Sequence, residues 1–309
     1  MVTTIEVLTP GMQTTVQDLG RPGYGHLGVS ACGAADALAL RVGNLLAGNA
    51  EGAAALEMTL LGGRFRFNGP AACVLAGADF AAKLDGVPVE LWTPTSILAG
   101  QTLALGGSIT GARSYVCFAG GLMVGPSLGS CSTHIPSGIG GRPLLKGDVL
   151  SIREQVRNLH PVHRETIEAL RSASDVLRVT DSAQTSDFTE QSLANLYSLA
   201  WSVQSDSNRM GVRLVGVLLE APMQGSMTTE GAPLGAIQVT PSGEPVILFV
   251  DHQTTGGYPK IGCVISADHW RIGQLRPRQT VRFLRVSFEE ARQLLLEQEA
   301  LINPEALFE

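Results

Sequence analysis

The chain has 309 residues, 44% of them hydrophobic and 16% charged, with a formal net charge of -6. This is the balance of a folded globular chain rather than a disordered one, and it offers no basic surface for nucleic acid. No apolar stretch approaches the roughly 20 residues a membrane helix needs. The opening MVTTIEVLTPG lacks a basic or apolar signal region, and Cys32, Cys73, Cys117, Cys131 and Cys263 form no CxxC pair; free thiols in a reducing cytoplasm are the expectation.

Taken in order, short apolar runs separated by Gly, Pro, Asn and Asp dominate. Strands are predicted at Arg64–Phe67, Ala71–Ala76, Thr102–Leu105, Tyr115–Ala119, Val246–Val250 and Thr280–Val286, from run length and turn punctuation. Helical periodicity is confined to four segments. Asp36–Leu46 places Leu38, Val42 and Leu45 or Leu46 on one face. His163–Ser172 is short and charged. Asp187–Leu199 opens on an Asp with Glu190 three residues on. Ser287–Leu301 begins SFEE, so Ser287 and Glu290 fit a capping box. The sum is a mainly β protein with a few peripheral helices.

The stretch from Arg153 to Asp175 is the most polar and the least strand-like. It gives a predicted division into residues 1–155, a linker at 156–175, and residues 176–309. The halves echo each other weakly. GADFAAKLDGVPVEL followed by LAGQTLALG in the first half parallels GAIQVTPSGEPVIL followed by LRPRQTVRF in the second. Such an echo suits two related β-barrel-like domains.

Four polar groups are candidates for chemistry. In DHQTTGGYPK, an apolar run delivers Asp251, Gln253, Thr254, Thr255, Gly256, Gly257, Tyr258 and Lys260. Adjacent glycines let backbone N–H groups approach an anion or carbonyl closely; a polar turn at a strand end is the structural alternative. In QTTVQDLGR, Gln17, Asp18 and Arg21 follow a Pro-Gly turn, and Asp18 and Arg21 could equally pair with each other. In SCSTHIPSGIGGR, Ser130, Ser132, Thr133 and Arg142 could bind a carboxylate or phosphate, Arg by its planar fork, or could form a long mobile loop. Arg209, Arg213, Glu230 and Gln238 complete the set, with an Arg–Glu bridge as the structural alternative.

Other motifs carry less. Gly23–Gly28 matches GxGxxG without a leading strand. Gly125–Gly129 matches GxSxG, but the following residues make a poor helix. His160 and His163 have no nearby Cys or carboxylate set, so no metal is expected. No phosphate-binding GxxxxGK[ST] string and no biotin-attachment segment occurs in the sequence.

Three long stretches then carry a family resemblance: Pro10–Asn49 with QTTVQDLGR, Tyr115–Leu150, and Asn208–Gly216 running on to Asp251–Asp268 with QTTGGYPKI. The chain resembles the biotin-dependent carboxyltransferase subdomain A and B family. That family includes the C subunits of 5-oxoprolinases, KipA-like proteins, the carboxyltransferase half of urea carboxylase and the allophanate hydrolase second subunit. The chain departs at CGAAD (Cys32–Asp36) where SGAMD is usual, at Pro277-Arg278 for Pro-Gly, and at TPSG (Thr240–Gly243) for PPDG. The resemblance implies two cyclophilin-like β-barrel domains with an active cleft between them. It implies a subunit, inactive alone, of an ATP-dependent amidohydrolase complex that opens 5-oxoproline to glutamate. The other members would be A and B subunits, the B being KipI-like. ATP is then used by the complex, and no biotin is attached to this chain. Asp251 and Asp18 would be catalytic, with Lys260 and Arg142 holding the substrate carboxylate. The alternatives are a regulatory KipA-like protein that binds a KipI-like kinase inhibitor, and a carboxyltransferase component of a urea or allophanate system.

Overall fold

A computed structural model describes residues 2–153, 163–172, 174–221 and 227–308. The expected linker at 156–162 and 173, and His160, lie outside the described residues. The chain is mainly β and forms two compact units. The first comprises residues 1–21, 32–171 and 300–309, and the second residues 22–31 and 172–299.

The first unit has two antiparallel sheets. Its strands are β1 (Val2–Thr9), β2 (Thr14–Gln17), β3 (Ala55–Thr59), β4 (Arg64–Phe67), β5 (Ala71–Gly77), β6 (Lys83–Leu84), β7 (Val87–Pro88), β8 (Thr95–Ile97), β9 (Thr102–Ala104), β10 (Arg113–Phe118) and β11 (Val149–Arg153). One sheet runs β11-β1-β4-β9-β6-β7 and the other β2-β3-β10-β5-β8. The RFRF of β4 alternates strictly and turns Phe65 and Phe67 inward. These pack with Ile5, Val7, Leu56, Leu75, Val116 and Phe118 in one core fed by both sheets. Burying a side chain of this size contributes roughly 1.5–3 kcal/mol.

Strand β10 is buried at every position, because helix α1 (Ala37–Leu46) packs on the outer face of β5 and β10. A sheet covered on both faces reads as a continuous apolar run rather than an alternation. Gly43 permits the close approach: a Cβ there would stand 2.8 Å from both Ala76 Cβ and Cys117 Sγ. Asp36 caps α1, accepting from Ala39 N at 2.8 Å. Helix α2 (Arg164–Leu170) is tied to a final short helix (Pro304–Leu307) by Thr166 Oγ1 donating to Ala306 O at 2.8 Å.

The second unit is a closed barrel. Its strands are β12 (Val176–Thr180), β13 (Trp201–Val203), β14 (Gly211–Val215), β16 (Ala236–Val239), β17 (Pro245–Leu248), β19 (Lys260–Val264) and β20 (Thr280–Arg285). A separate ribbon pairs β15 (Glu230–Gly231) with β18 (Thr255–Gly256). The order is β12-β19-β16-β17-β14-β13-β20, closed by a parallel β12–β20 pairing, so no barrel strand is left as an open edge. Helices α3 (Glu190–Ser198), α4 (His269–Gln274) and α5 (Phe288–Ala300) are peripheral elements of the sequence around it.

The predicted strands all form, with ends within two residues of expectation. Helix α3 starts later than the Asp187 opening suggests, because Thr189 is its cap and accepts from Ser192 N at 3.1 Å. The Ser287–Glu290 capping box is present: Ser287 N donates to Glu290 Oε2 at 2.7 Å and Glu290 N to Ser287 Oγ at 3.2 Å. Helix α4 was not legible: its six residues, HWRIGQ, are too few to show a period.

Candidate functional site

In the first unit the expected residues Gln17, Asp18, Arg21, Ser130, Ser132 and Thr133 do converge, and all are buried. The loop after β10 returns to the free edge of β2. Thr133 N donates to Val16 O at 3.0 Å and Leu144 N to Thr14 O at 2.8 Å. Gln17 stitches the same seam, its Nε2 donating to Thr133 O at 3.0 Å and to Thr15 Oγ1 at 3.0 Å. This lacing, rather than free mobility, defines the root of the 130–142 segment.

Asp18 is the hub. Its carboxylate accepts from Ser130 Oγ and Ser132 Oγ at 2.6 Å each, from Cys131 N at 2.6 Å and from Gly20 N at 2.8 Å. Four donors hold the carboxylate and, through it, the loop. Such a carboxylate orders its surroundings.

Arg21 forms no ion pair with Asp18. Its side chain is 1% exposed; Nε donates to Ser127 O at 3.3 Å and Nη2 to Ser132 O. Nη1 is buried without a hydrogen-bond partner. The tight turn under it needs Leu128 (φ 53) and Gly129 (φ 80) in the left-handed region, with Ser127 N donating to Ser130 O at 2.8 Å. No helix follows Ser127, so the GxSxG string is a hairpin turn and not a nucleophile elbow. Likewise Gly23–Gly28 lies on a short 3-10 turn with α1 starting only at Ala37.

Arg142 lies on the surface. Its fork grips Asp148 at 2.7 and 2.9 Å, and the Asp148 carboxyl, held by the Arg142 hydrogen bonds, falls to about 2. The geometry gives Arg142 a structural partner in place of the substrate carboxylate expected of it.

In the second unit, Arg209, Gln238, Asp251 and Lys260 are buried. The β14–β17 pairing extends past its strands: Phe249 N donates to Met210 O at 3.1 Å and Asp251 N to Arg209 O at 2.8 Å. That register sets Arg209 opposite Asp251, and a bidentate fork forms, Nε to Oδ2 at 2.8 Å and Nη2 to Oδ1 at 3.0 Å. Lys260 opens β19 beside Gln238 of β16. Its Nζ donates to Glu230 Oε1, which also accepts from Gln184 Nε2 at 2.8 Å. The hydrogen bond from Lys260 is the main reason the Glu230 carboxyl lies below its ordinary value. So Arg209 pairs with Asp251, and Glu230 with Lys260.

The loop above this rim carries Gln253, Thr254, Thr255, Gly256, Gly257 and Tyr258, all exposed or half-buried. Gly256 lies close to Gln238: a Cβ there would come within 2.7 Å of Gln238 Nε2 and the amide would have to shift. Gln253 Nε2 donates to Gln238 Oε1 at 3.4 Å. Segment 22–31 also belongs here, with Ser30 Oγ donating to Val250 O at 3.1 Å.

Sequence reasoning passed over His252. Its Nδ1 lies 2.7 Å from Gln253 O; a carbonyl only accepts, so Nδ1 carries the proton and Nε2 the lone pair. Burial lowers its pKa below the usual value, so the ring is neutral at pH 7. Also missed was a buried network in the first unit. Glu57 accepts from Tyr115 OH at 2.6 Å and Ala35 N at 2.7 Å, and Asp36 pairs with Arg171 at 2.9 Å. Arg171 in turn stacks over Trp92 at 5.0 Å. Glu57 sits in an otherwise apolar strand, which is the one signal that marks it. Among the described residues, no group of three or more His, Cys, Asp or Glu side chains could hold a metal ion.

Comparison with known proteins places this geometry in a family. Residues 27–285 match the model of the carboxyltransferase domain, subdomain A and B. The chain is 38% identical over 302 residues to the C subunit of 5-oxoprolinase from Haemophilus influenzae, covering 97% of this chain and 96% of that protein. It is 38% identical over 290 residues to the C subunit of 5-oxoprolinase from Escherichia coli, with 93% of each covered. The crystal structure of Kluyveromyces lactis urea amidolyase superposes with a TM-score of 0.90 at 30% identity, over 97% of this chain but 20% of that one. The fork, the seryl hub and the Gln-Thr-Thr-Gly-Gly loop are therefore features of a chain that belongs to the carboxyltransferase subdomain A and B family, with 5-oxoprolinase C subunits among its full-length relatives.

Proposed function

We propose that this chain is the C subunit of an ATP-dependent 5-oxoprolinase, acting in a cytoplasmic hetero-oligomer with A and B subunits to open the lactam of 5-oxoproline to glutamate. The observation that carries the reading is the end-to-end likeness to the Haemophilus influenzae protein, 97% of one chain on 96% of the other. The chemistry agrees with it. A lactam carbonyl is stabilised by its amide resonance, and ATP supplies the driving force through an activated species. ATP is used by the complex, and this chain carries no attached biotin. What a chain of this kind adds is a set of fixed donors for the charge that develops on oxygen, commonly the largest catalytic contribution.

The second-unit loop supplies such donors: Thr254 and Thr255 by their hydroxyls, and Gly256 and Gly257 by backbone held close to a ligand. Gln238, Gln253 and Tyr258 orient the amide. Asp251 and Asp18 act as positioning residues, the first by fixing Arg209 and the second by fixing Ser130 and Ser132, which with Gln17 and Thr133 shape the first-unit loop. Lys260 is held by Glu230 at the barrel rim. His252, neutral and with a free lone pair on Nε2, is the proton acceptor the loop offers.

The test is reconstitution. The purified chain alone should not turn over ATP; mixed with A and B subunits it should release ADP and glutamate only when 5-oxoproline is present. Equal rates with and without this chain would overturn the proposal. A second reading, transfer of a carboxyl group to urea nitrogen, draws on the TM-score of 0.90 to the urea amidolyase structure. It predicts urea carboxylation when a carboxybiotin-bearing partner is supplied in trans, and no response to 5-oxoproline.

A further inference from the structure

We propose that Arg21 and His134 form a subsite for a small monoanionic carboxylate at the root of the 130–142 hairpin. Arg21 is 1% exposed, and its guanidinium has neutral carbonyls on two nitrogens and nothing on the third. A buried guanidinium donor left unpaired costs more than a neutral one, so a site that keeps it is built for an acceptor. The same hairpin holds a second orphan. His134 Nδ1 lies 2.7 Å from Ser137 Oγ, while Nε2 is buried with no partner. With the Ser137 hydroxyl donating to Nδ1, Nε2 bears the proton and is the second donor.

The two orphans belong to one structural element. Arg21 Nη2 binds Ser132 O, His134 pairs with Ile139 across the hairpin, and the next residue, Gly140, lies against the guanidinium. A Cβ at Gly140 would stand 2.0 Å from Ser132 O and 3.1 Å from Arg21 Nη2. Bulk is therefore excluded from the guanidinium face.

Charge selects the class of ligand. Asp18 and Arg21 both act electrostatically on Cys131, in opposite senses, so the loop already contains one negative and one positive group. A monoanion adds one charge to a balanced pair. A phosphate dianion adds two and presents more oxygens than two donors can satisfy. Arg142 and Lys260, the residues expected to hold a substrate carboxylate, are each committed to a carboxylate of this chain, whereas Arg21 keeps a free donor. That 5-oxoproline is among the carboxylates this subsite takes rests on the function proposed above; the subsite itself rests on the orphan donors of the first unit.

The experiment measures binding to the full chain by ligand-observed NMR and calorimetry, using acetate, L-5-oxoproline, 2-pyrrolidone (the same lactam without its carboxylate) and inorganic phosphate. Acetate and 5-oxoproline should bind, and 2-pyrrolidone and phosphate should not. His134→Ala should weaken carboxylate binding by about 10-fold, the loss of one charge-assisted bond. Arg21→Gln should abolish it. If Arg21→Gln does not fold, His134→Ala, at a half-buried position of the hairpin, then decides. Acetate binding that depends on these residues, without 5-oxoproline binding, would uphold the subsite and remove the lactam reading. Carboxylate affinity unchanged in the folded variants, equal binding of 2-pyrrolidone, or no carboxylate binding to the wild-type chain would overturn the subsite.

Discussion

Breaking the Arg209–Asp251 fork should cost several kcal/mol, and removing both charges together should recover part of that loss. The side chains are 6% and 2% exposed and meet at 2.8 Å. Asp251→Asn takes the carboxylate away from the buried Arg209 guanidinium, and Arg209→Gln takes the guanidinium away from the buried carboxylate. Either change to a buried pair costs about 3–5 kcal/mol, against a total stability of about 5–15 kcal/mol for a typical folded chain. The double variant buries no net charge at this point, so its loss should fall short of the sum of the singles by about 2–3 kcal/mol, the upper range of measured couplings. Urea unfolding of the four proteins measures this, provided the slopes agree. Losses that add to within about 0.5 kcal/mol would refute the claim that the fork is a coupled buried pair. The same four proteins in the reconstituted complex separate two roles. A folded double variant without activity shows that the reaction needs the fork's geometry; a folded and active one shows that the fork serves the barrel alone.

Other perturbations follow from single contacts. Gly43→Ala should lower stability by up to about 2 kcal/mol in thermal or urea unfolding, because overpacking of about 1–3 kcal/mol offsets a helix-propensity gain of about 1 kcal/mol; a stabilised variant would mean α1 moves freely off β5 and β10. Arg278 has φ 68, so Arg278→Gly should raise stability by about 0.5–1 kcal/mol, and a loss would show that the Arg side chain contributes contacts of its own. Burial holds His269 below its usual 6.5. The unfolded chain therefore takes up a proton, as pH falls below 6.5, that the folded chain refuses, and stability declines with a limiting slope of about 1.4 kcal/mol per pH unit until the folded ring also titrates. His269→Gln should flatten that decline, and an unchanged slope would assign it elsewhere. His252→Gln should depress turnover of the complex at all pH values, whereas the wild type should lose activity only as pH falls below the depressed pKa of this ring; a variant with wild-type rates and pH profile would remove His252 from the chemistry.

The fold was legible where the sequence carries a period or a named local motif. RFRF alternates because one face of β4 meets the core and the other meets solvent. The SFEE capping box is readable because both of its bonds are local. The fully buried YVCF run is readable as a strand, but its covering helix is not: that requires knowing that Gly43 lets α1 approach Cys117. The site residues were legible by type, and their partners were not. Asp18 finds donors more than 110 residues away in sequence, at Ser130 and Ser132. The Asp18–Arg21 pairing held open as the structural alternative does not form; Asp18 binds the long-range loop instead. Arg142 is the reverse case: its partner Asp148 lies only six residues on, within reach of its fork.

A consequence for chemistry follows from how these carboxylates are buried. A carboxylate in the interior stays charged only when donors compensate for lost water. The same donors fix its orientation. Asp18 with four donors and Asp251 with a bidentate arginine are both of this kind. Groups held in this way set geometry, and proton transfer suits a group that is neutral at working pH and keeps a lone pair unbound. On the 251–258 loop that group is His252. Asp251→Asn, if folded, should then slow the reaction by misplacing Arg209 without shifting the pH profile, whereas a base at Asp251 would carry the acid limb of the profile with it.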